Sequence, residues 1–312
     1  MEYESIENVT SIFEQPWWLE ATAPNKWRVI EVVRNDVCVG RLPIVEERSF
    51  GVRCFGTPSG SMFSGPWIKE TGGKPVTYLR YQKEVMAELI KQLPQGNIRI
   101  NLSPEHQYYL PFLWNGFKFE PCFTYRINDT SDLDKVWNDF DKSARKAVSK
   151  GAESLILRTD LPIEVLFDLE DKTYARQNRK NPVDKERLRR IYESCVEHEA
   201  GVLMCAVDKE ERVHTATLYV YDSKVMYAIH GGSDPELRSS QSDAFLIWKA
   251  LELASEKKLS FDFEGSSIEA IEKYFRSFGG TPTVYLCAKK YGLVMSLLDY
   301  VKPIIKKILG WK

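Results

Sequence analysis

FDFEGSSIEAIEKYFRSFGG, residues 261–280, sets two carboxylates between phenylalanines, turns at Gly-Ser-Ser and enters a helical repeat that ends in Phe278-Gly279-Gly280. Phe261 and Phe263 alternate with Asp262 and Glu264, which is the period of a strand with one apolar face. Both acids are then expected on the other face. A carboxylate at a strand end, partly withdrawn from water, has its pKa raised toward the range where it can orient or deprotonate an amine. Glu264 lies nearer the strand end and is the first candidate, with Asp262 beside it. The other reading is two solvated acids, or caps for the following helix.

Outward from this corner the pattern is that of an α/β chain. A last strand, PTVYLCAKK, follows it. Before it runs SSQSDAFLIWKALELASEKK, a helix opened by capping-type serines and Asp243. Three strands precede that helix: GVLMCAVD, HTATLYVYD and KVMYAIHGG, parted by turn signals at 210–212 and 222–224. Apolar spacing predicts helices over 161–180 and 184–199, separated at Asn181-Pro182, with a short strand over 153–159 ahead of them. The order is β-αα-βββ-α-β-α-β.

The first half repeats the end of that order. KWRVIEVVRN and VCVGRLPIVEE form a hairpin turning at Asn35-Asp36. A Gly-, Pro- and Ser-rich loop spans 56–75, and then come a helix at 78–93, the strand NIRINLS, the helix YYLPFLWNGF and the strand KFEPCFTYRI. Four kinds of element in one order, twice, point to two copies of one fold. The expected division is a domain over 1–130, a second over 131–290 that carries the acids, and a tail over 291–312. In the first copy Arg99 and Asn101 stand where the second has Asp262 and Glu264 or their neighbours.

The bulk numbers agree with this size. A chain of 312 residues, 43% hydrophobic and 28% charged, has room for two cores. A net charge of −1 argues against a dedicated nucleic-acid binder but leaves room for a local basic strip. The six cysteines are scattered, with no CxxC pair and no histidine at ligand spacing, which reads as reduced thiols and no metal site. The polar, acidic start MEYESIENVT is not a signal peptide, so the expectation is a cytoplasmic protein. In GLVMSLLDYVKPIIKKILGWK, apolar residues at helical spacing face lysines 302, 306 and 307. Such a helix docks on the body or lies at the inner face of a membrane, where Trp311 would suit the headgroup boundary.

Other residues are candidates for chemistry. His230 ends its strand before two glycines, where a base or hydrogen-bond donor can reach substrate. Tyr227, Tyr274 and Tyr285 are available as proton donors or as core. Lys142, Arg145, Lys146 and Lys150 recur at helical spacing, a basic stripe suited to a diphosphate-linked sugar or an RNA backbone, or simply to solvent.

The strand order of 131–290 resembles the GNAT acyltransferase fold. Doubled in one chain, it is similar to the Fem family of aminoacyl transferases. Three passages carry the likeness: QPWWLEATAPNKW resembles the opening helix, FDKSARKAVSKG the basic helix before the second domain, and FDFEGS…KYFRSFGG the strand–turn–helix corner. The resemblance implies two GNAT-like domains in tandem, each a mixed twisted sheet flanked by helices, with a degenerate first copy. It implies an acyltransferase of cell-envelope or polysaccharide precursors, acting on a sugar- or peptide-amine acceptor, diphosphate-linked or not. No cofactor would be tightly bound, and the acyl donor would be aminoacyl-tRNA or an acyl-CoA or other acyl thioester. Two further readings stay open: an acetyl-CoA-dependent N-acetyltransferase of an amino sugar, and a non-catalytic scaffold that binds a glycan or a partner protein.

From the same resemblance Arg176, with Arg179 and Lys180, belongs to the turn that sets acceptor specificity. There are two departures. Arg276 stands where Fem enzymes tend to carry lysine, which keeps a phosphate fork but removes a proton donor. The pyrophosphate loop expected before the 242–258 helix reads Arg238-Ser-Ser-Gln-Ser-Asp243, with the arginine kept and both small positions lost. Asp243 would set a negative charge where a pyrophosphate should meet the helix N-terminus.

Overall fold

A computed structural model describes residues 11–49, 51–105, 108–265 and 268–308, the side chains of 302–308 excepted. After a 3-10 turn at Ile12–Glu14 come α1 (Pro16–Thr22), β1 (Trp27–Arg34), β2 (Val37–Ser49), β3 (Val52–Gly56) and β4 (Trp67–Ile68). Then follow α2 (Pro75–Lys91), β5 (Asn97–Leu102), α3 (Leu110–Trp114) and β6 (Lys118–Ile127). The chain continues through α4 (Leu133–Asp139), α5 (Lys142–Ala152), β7 (Leu155–Arg158), α6 (Glu164–Arg176) and α7 (Lys185–Glu197). Three strands, β8 (Gly201–Asp208), β9 (Val213–Tyr221) and β10 (Val225–Ser233), lead into α8 (Ser242–Glu256). Last come β11 (Ser260–Asp262), α9 (Glu269–Ser277), β12 (Thr281–Lys290) and α10 (Leu293–Ile308).

Two compact units share these elements. One joins the described part of Met1–Thr22 to Phe123–Thr283; the other joins Ala23–Cys122 to the chain from Val284 on. The divisions thus fall inside β6 and β12, whereas the sequence suggested 130/131 and 290/291. The opening helix packs with the later half because α1 lies on α7: Arg190 Nε donates to the Ala21 carbonyl at 3.0 Å, and Trp17 stacks on His198 at 4.4 Å.

In the first unit the sheet runs β11-β10-β9-β8-β7, with the end of β6 on the other side of β11. Among the described pairings of this unit β10 and β11 are the parallel pair, matching Val225 with Ser260 through Tyr227 with Asp262. Its core gathers Phe140, Phe261, Phe263 and Phe278 with α8 residues such as Leu246 and Leu251, all nearly closed to solvent. In the other unit the order is β1-β2-β3-β5-β12, with β4 on β2. Again one pair is parallel: β3 with β5, from Cys54–Asn97 to Gly56–Arg99. Ile98, Ile100 and Leu102 of β5 turn one face to Val85, Met86 and Leu89 of α2. The same parallel step between an antiparallel strand and its crossover strand therefore occurs once in each unit, as expected of a duplicated fold.

Local chemistry explains most boundaries. Asn35 and Asp36 both adopt positive φ (50° and 62°), as a two-residue hairpin turn requires. Gly56 must be glycine, because a Cβ there would lie 1.6 Å from the Arg99 carbonyl oxygen. Asp141 caps α5 by accepting from the N–H groups of Ser143 and Ala144. The strand expected from the alternation at 261–264 is only three residues long, Ser260–Asp262. Pairing with β6 ends with the Phe263 N–H on the Tyr125 carbonyl at 2.9 Å, and Glu264 then takes the left-handed conformation, φ 51°. Ser266 and Ser267, the rest of the Gly-Ser-Ser turn, lie outside the described residues, as do Met1 to Thr10 and Trp311.

Candidate functional site

Strands β10 and β11 run side by side in one direction, and α/β sheets commonly bind ligands beyond the carboxyl ends of such parallel strands. His230 lies at that end of β10. A bulge between Ala228 and His230 breaks the register with β9 and re-aims the strand there. The imidazole keeps 24% of its side chain open to solvent.

Its partner is one the sequence reading missed. Glu170 of α6 sits 3.0 Å from His230 Nδ1 through Oε1, while its second oxygen is buried and has no hydrogen-bond partner among the described residues. The acid is only 3% exposed and rides the face of α6 that carries Leu166, Phe167 and Leu169. That position was the available signal: an acid where an amphipathic repeat calls for an apolar residue. Two features fix α6 against β10 beside the pair. Thr173 and Ser233 exchange hydrogen bonds, Ser233 N–H to Thr173 Oγ1 at 3.1 Å and Thr173 hydroxyl to the Ser233 carbonyl at 3.2 Å. Gly232 lets the backbones close up, since a Cβ there would stand 2.5 Å from Glu170 N.

Asp262 and Glu264 have separated. They do not share a strand face, because β11 ends between them. Asp262 is fully buried and bonds through both oxygens: Arg126 Nε donates to Oδ2 at 2.5 Å, and the Thr124 hydroxyl and the Glu264 N–H (2.8 Å) donate to Oδ1. Burial raises its carboxyl against the pull of these donors. So enclosed a group positions what surrounds it: β6 on one side and the Glu264 backbone on the other. Glu264 itself is half-buried, and desolvation first, then the Asp262 carboxylate, push its pKa well above the usual carboxylate range.

Tyr274 on α9 is the tyrosine with the strongest claim on chemistry. Burial of its hydroxyl, then the Asp243 carboxylate, hold the phenol well above its usual range, although 38% of the residue as a whole is open. Tyr227 is core, 2% exposed and packed on Phe13. Tyr285 belongs to β12, in the other unit.

The cations divide. Arg145 is not part of an outward stripe: its Nη1 turns under to the carbonyls of Trp137, Asn138 and Phe140, the last at 2.6 Å, closing the end of α4. Lys142, Lys146 and Lys150 are exposed on α5 and form no ion pair among the described residues. Arg176, in the last turn of α6, and Arg238, in the turn before α8, are exposed in the same way. Arg276 is tied to Glu272 one turn earlier, at 2.9 Å.

The approach to α8 is filled by protein groups. Asp243 Oδ1 accepts from the Ser233 hydroxyl at 2.6 Å and from Thr215 at 3.3 Å, and Ser242 and Thr215 share a 2.7 Å hydrogen bond. Gln241 stands in the left-handed region (φ 61°) where a glycine would be at ease. The preceding turn is pinned by a buried chain, Ser240 Oγ to His214 Nδ1 at 2.8 Å and His214 Nε2 to Asp208 at 3.0 Å. Burial works to raise Asp208, but Arg212 and His214 overcome it and hold the carboxyl below the usual range. A carboxylate already seated at the helix start does not fit a pyrophosphate there.

Comparison with known proteins places this arrangement. The family model described as an acetyltransferase (GNAT) domain matches residues 135–276. No curated protein matches the chain. Among solved structures, FemX superposes with a TM-score of 0.67 at 13% identity, covering 96% of this chain and 100% of its own. L-PGS from Bacillus licheniformis gives 0.54 at 11% identity, covering 94% and 98%. A tandem GNAT protein from the clavulanic acid biosynthesis pathway gives 0.50 at 12% identity, covering 86% and 84%. At these identities the shared property is the fold.

Proposed function

We propose that this chain, a GNAT-fold protein of the Fem-like superfamily, transfers an acyl or aminoacyl group to an amine, and that the amine belongs to a cell-envelope or polysaccharide precursor. The observation that carries the reading is the His230–Glu170 pair at the open end of β10. Glu170 accepts from Nδ1–H, which fixes the tautomer and leaves the Nε2 lone pair, unpartnered among the described residues, as a base.

In the reaction His230 Nε2 takes a proton from the acceptor ammonium. The freed amine attacks the acyl carbon, forming a C–N bond as the C–O bond of an ester or the C–S bond of a thioester breaks. The leaving oxygen or sulfur needs a proton, and the Tyr274 phenol or the protonated Glu264 carboxyl can supply it, regaining one from the second proton that the nitrogen sheds as the amide forms. Asp262, through Arg126 and the Glu264 N–H, positions that corner without touching substrate. Lys142, Lys146, Arg176 and Arg238 are exposed cations that suit a diphosphate-linked acceptor or the backbone of a tRNA.

The Asp243 carboxylate at the start of α8 favours aminoacyl-tRNA, or a thioester held elsewhere, over coenzyme A in the usual groove. The same feature is what favours the scaffold reading as the second choice. Reactions would pair aminoacyl-tRNA or acetyl-coenzyme A with nucleotide-linked amino sugars and peptides, with products read by mass spectrometry. Transfer that drops at least a hundredfold in His230→Ala is expected. Binding of acceptor without turnover from any donor would leave the scaffold reading in its place.

A further inference from the structure

The outward face of α10 is apolar. Leu293, Val294, Leu297 and Tyr300 are 91%, 65%, 63% and 74% exposed, a degree of exposure that single surface residues show but a run of four rarely does. At 100° per residue these four fall within one third of the helix circumference, and positions 301, 304 and 308 (Val, Ile and Ile) continue the same stripe along the backbone to the end of α10. The opposite side is the one the protein uses. Met295 is 5% exposed, and Asp299 accepts from Lys289 Nζ at 3.2 Å. The helix is therefore anchored by a narrow polar and methionine edge and presents its broad apolar face outward.

We infer that this face docks α10 in the plane of a lipid surface bearing anionic headgroups. Charge selects that occupant. From residue 293 on, the sequence has lysines at 302, 306, 307 and 312 against one acid, Asp299, which pairs with Lys289. An anionic interface complements such a segment. A second copy of the same helix would bring lysines against lysines and has no free acid to offer them. The described helix has 16 residues, about 24 Å at 1.5 Å per residue, and no helix among the described residues is long and apolar enough to cross a membrane. The helix lies along the surface, and the chain is held peripherally.

The test uses the full chain and vesicles of phosphatidylcholine with or without phosphatidylglycerol, at low and high salt. Co-sedimentation is expected with the anionic vesicles, roughly tenfold weaker without phosphatidylglycerol or at high salt, and lost in Leu297→Asp. Leu297 is exposed, so that variant should melt with the parent, and a circular-dichroism scan confirms that the loss is not unfolding. Failure to bind either vesicle overturns the inference. So does undiminished binding by Leu297→Asp. A dimer in light scattering that Leu297→Asp turns into a monomer assigns the face to a second copy and overturns it as well.

Discussion

Arg126 Nε lies 2.5 Å from Asp262 Oδ2, with the two side chains 6% and 0% open to solvent, in a cross-strand pair where Arg126 and Asp262 are direct register partners. Removing one charge from such a pair leaves the other buried without compensation, which costs about 3–5 kcal/mol. Asp262→Asn should lower the unfolding free energy measured by urea titration by that amount, and Asp262→Leu paired with Arg126→Leu should recover much of it. Equal stability of Asp262→Asn and the parent would show that the pair does not hold the corner together.

Glu264 makes an opposite prediction. Its pKa in the folded protein is raised by desolvation and by Asp262, so the folded chain keeps a proton that the unfolded chain loses near pH 4. Stability then falls as pH rises above the unfolded value, by up to about 1.4 kcal/mol per pH unit, until the folded pKa is reached. Glu264→Gln has no such loss. Its melting temperature should match the parent's near pH 4 and exceed it increasingly toward neutral pH. A difference that is constant across that range would mean that Glu264 is not protonated by the fold.

Much of this architecture is legible in the chain. The strands GVLMCAVD and KFEPCFTYRI stand where their periodicity puts them, because strongly patterned runs bounded by turns leave little choice. The corner at 261–280 was visible as strand, turn and helix, but not that the strand stops at Asp262. That depends on the left-handed turn at Glu264, and the burial of Asp262 depends on Arg126 and Thr124, more than 130 residues away in sequence. Glu170 was missed for a related reason: its meaning lies in His230, 60 residues on, and only its place among leucines hinted at a buried role. Arg145 reads as part of a basic stripe by spacing, yet the bare carbonyls at the end of α4 draw it inward. The exchange of terminal segments between units leaves no mark on local pattern, so the boundaries drawn from sequence differ from the compact units.

Gly232 tests whether the spacing of α6 and β10 matters for chemistry. A Cβ at this position would stand 2.5 Å from Glu170 N and 2.6 Å from the Leu169 carbonyl carbon, backbone atoms that cannot rotate aside. Gly232→Ala must push α6 away from β10 and carry Glu170 with it. Overpacking of this kind costs about 1–3 kcal/mol. Transfer activity measured well below the melting temperature should fall further than that loss of stability alone would cause. A variant that is destabilised yet keeps its turnover would detach α6 from the site.

The pair itself is best tried by a cycle of variants. If Glu170 acts only through His230, holding Nδ1–H and so keeping Nε2 free, then Glu170→Ala should cut kcat by about a hundredfold with little change in KM. His230→Ala should cost at least as much. The double variant should be no worse than His230→Ala, because groups that act as a unit are not additive. Glu170→Gln is the discriminating member. Its side-chain oxygen can still accept from Nδ1–H and hold the tautomer, but it lacks the charge that stabilises an imidazolium, so its kcat should fall between the parent and Glu170→Ala. If the two losses multiply in the double variant, His230 and Glu170 act separately.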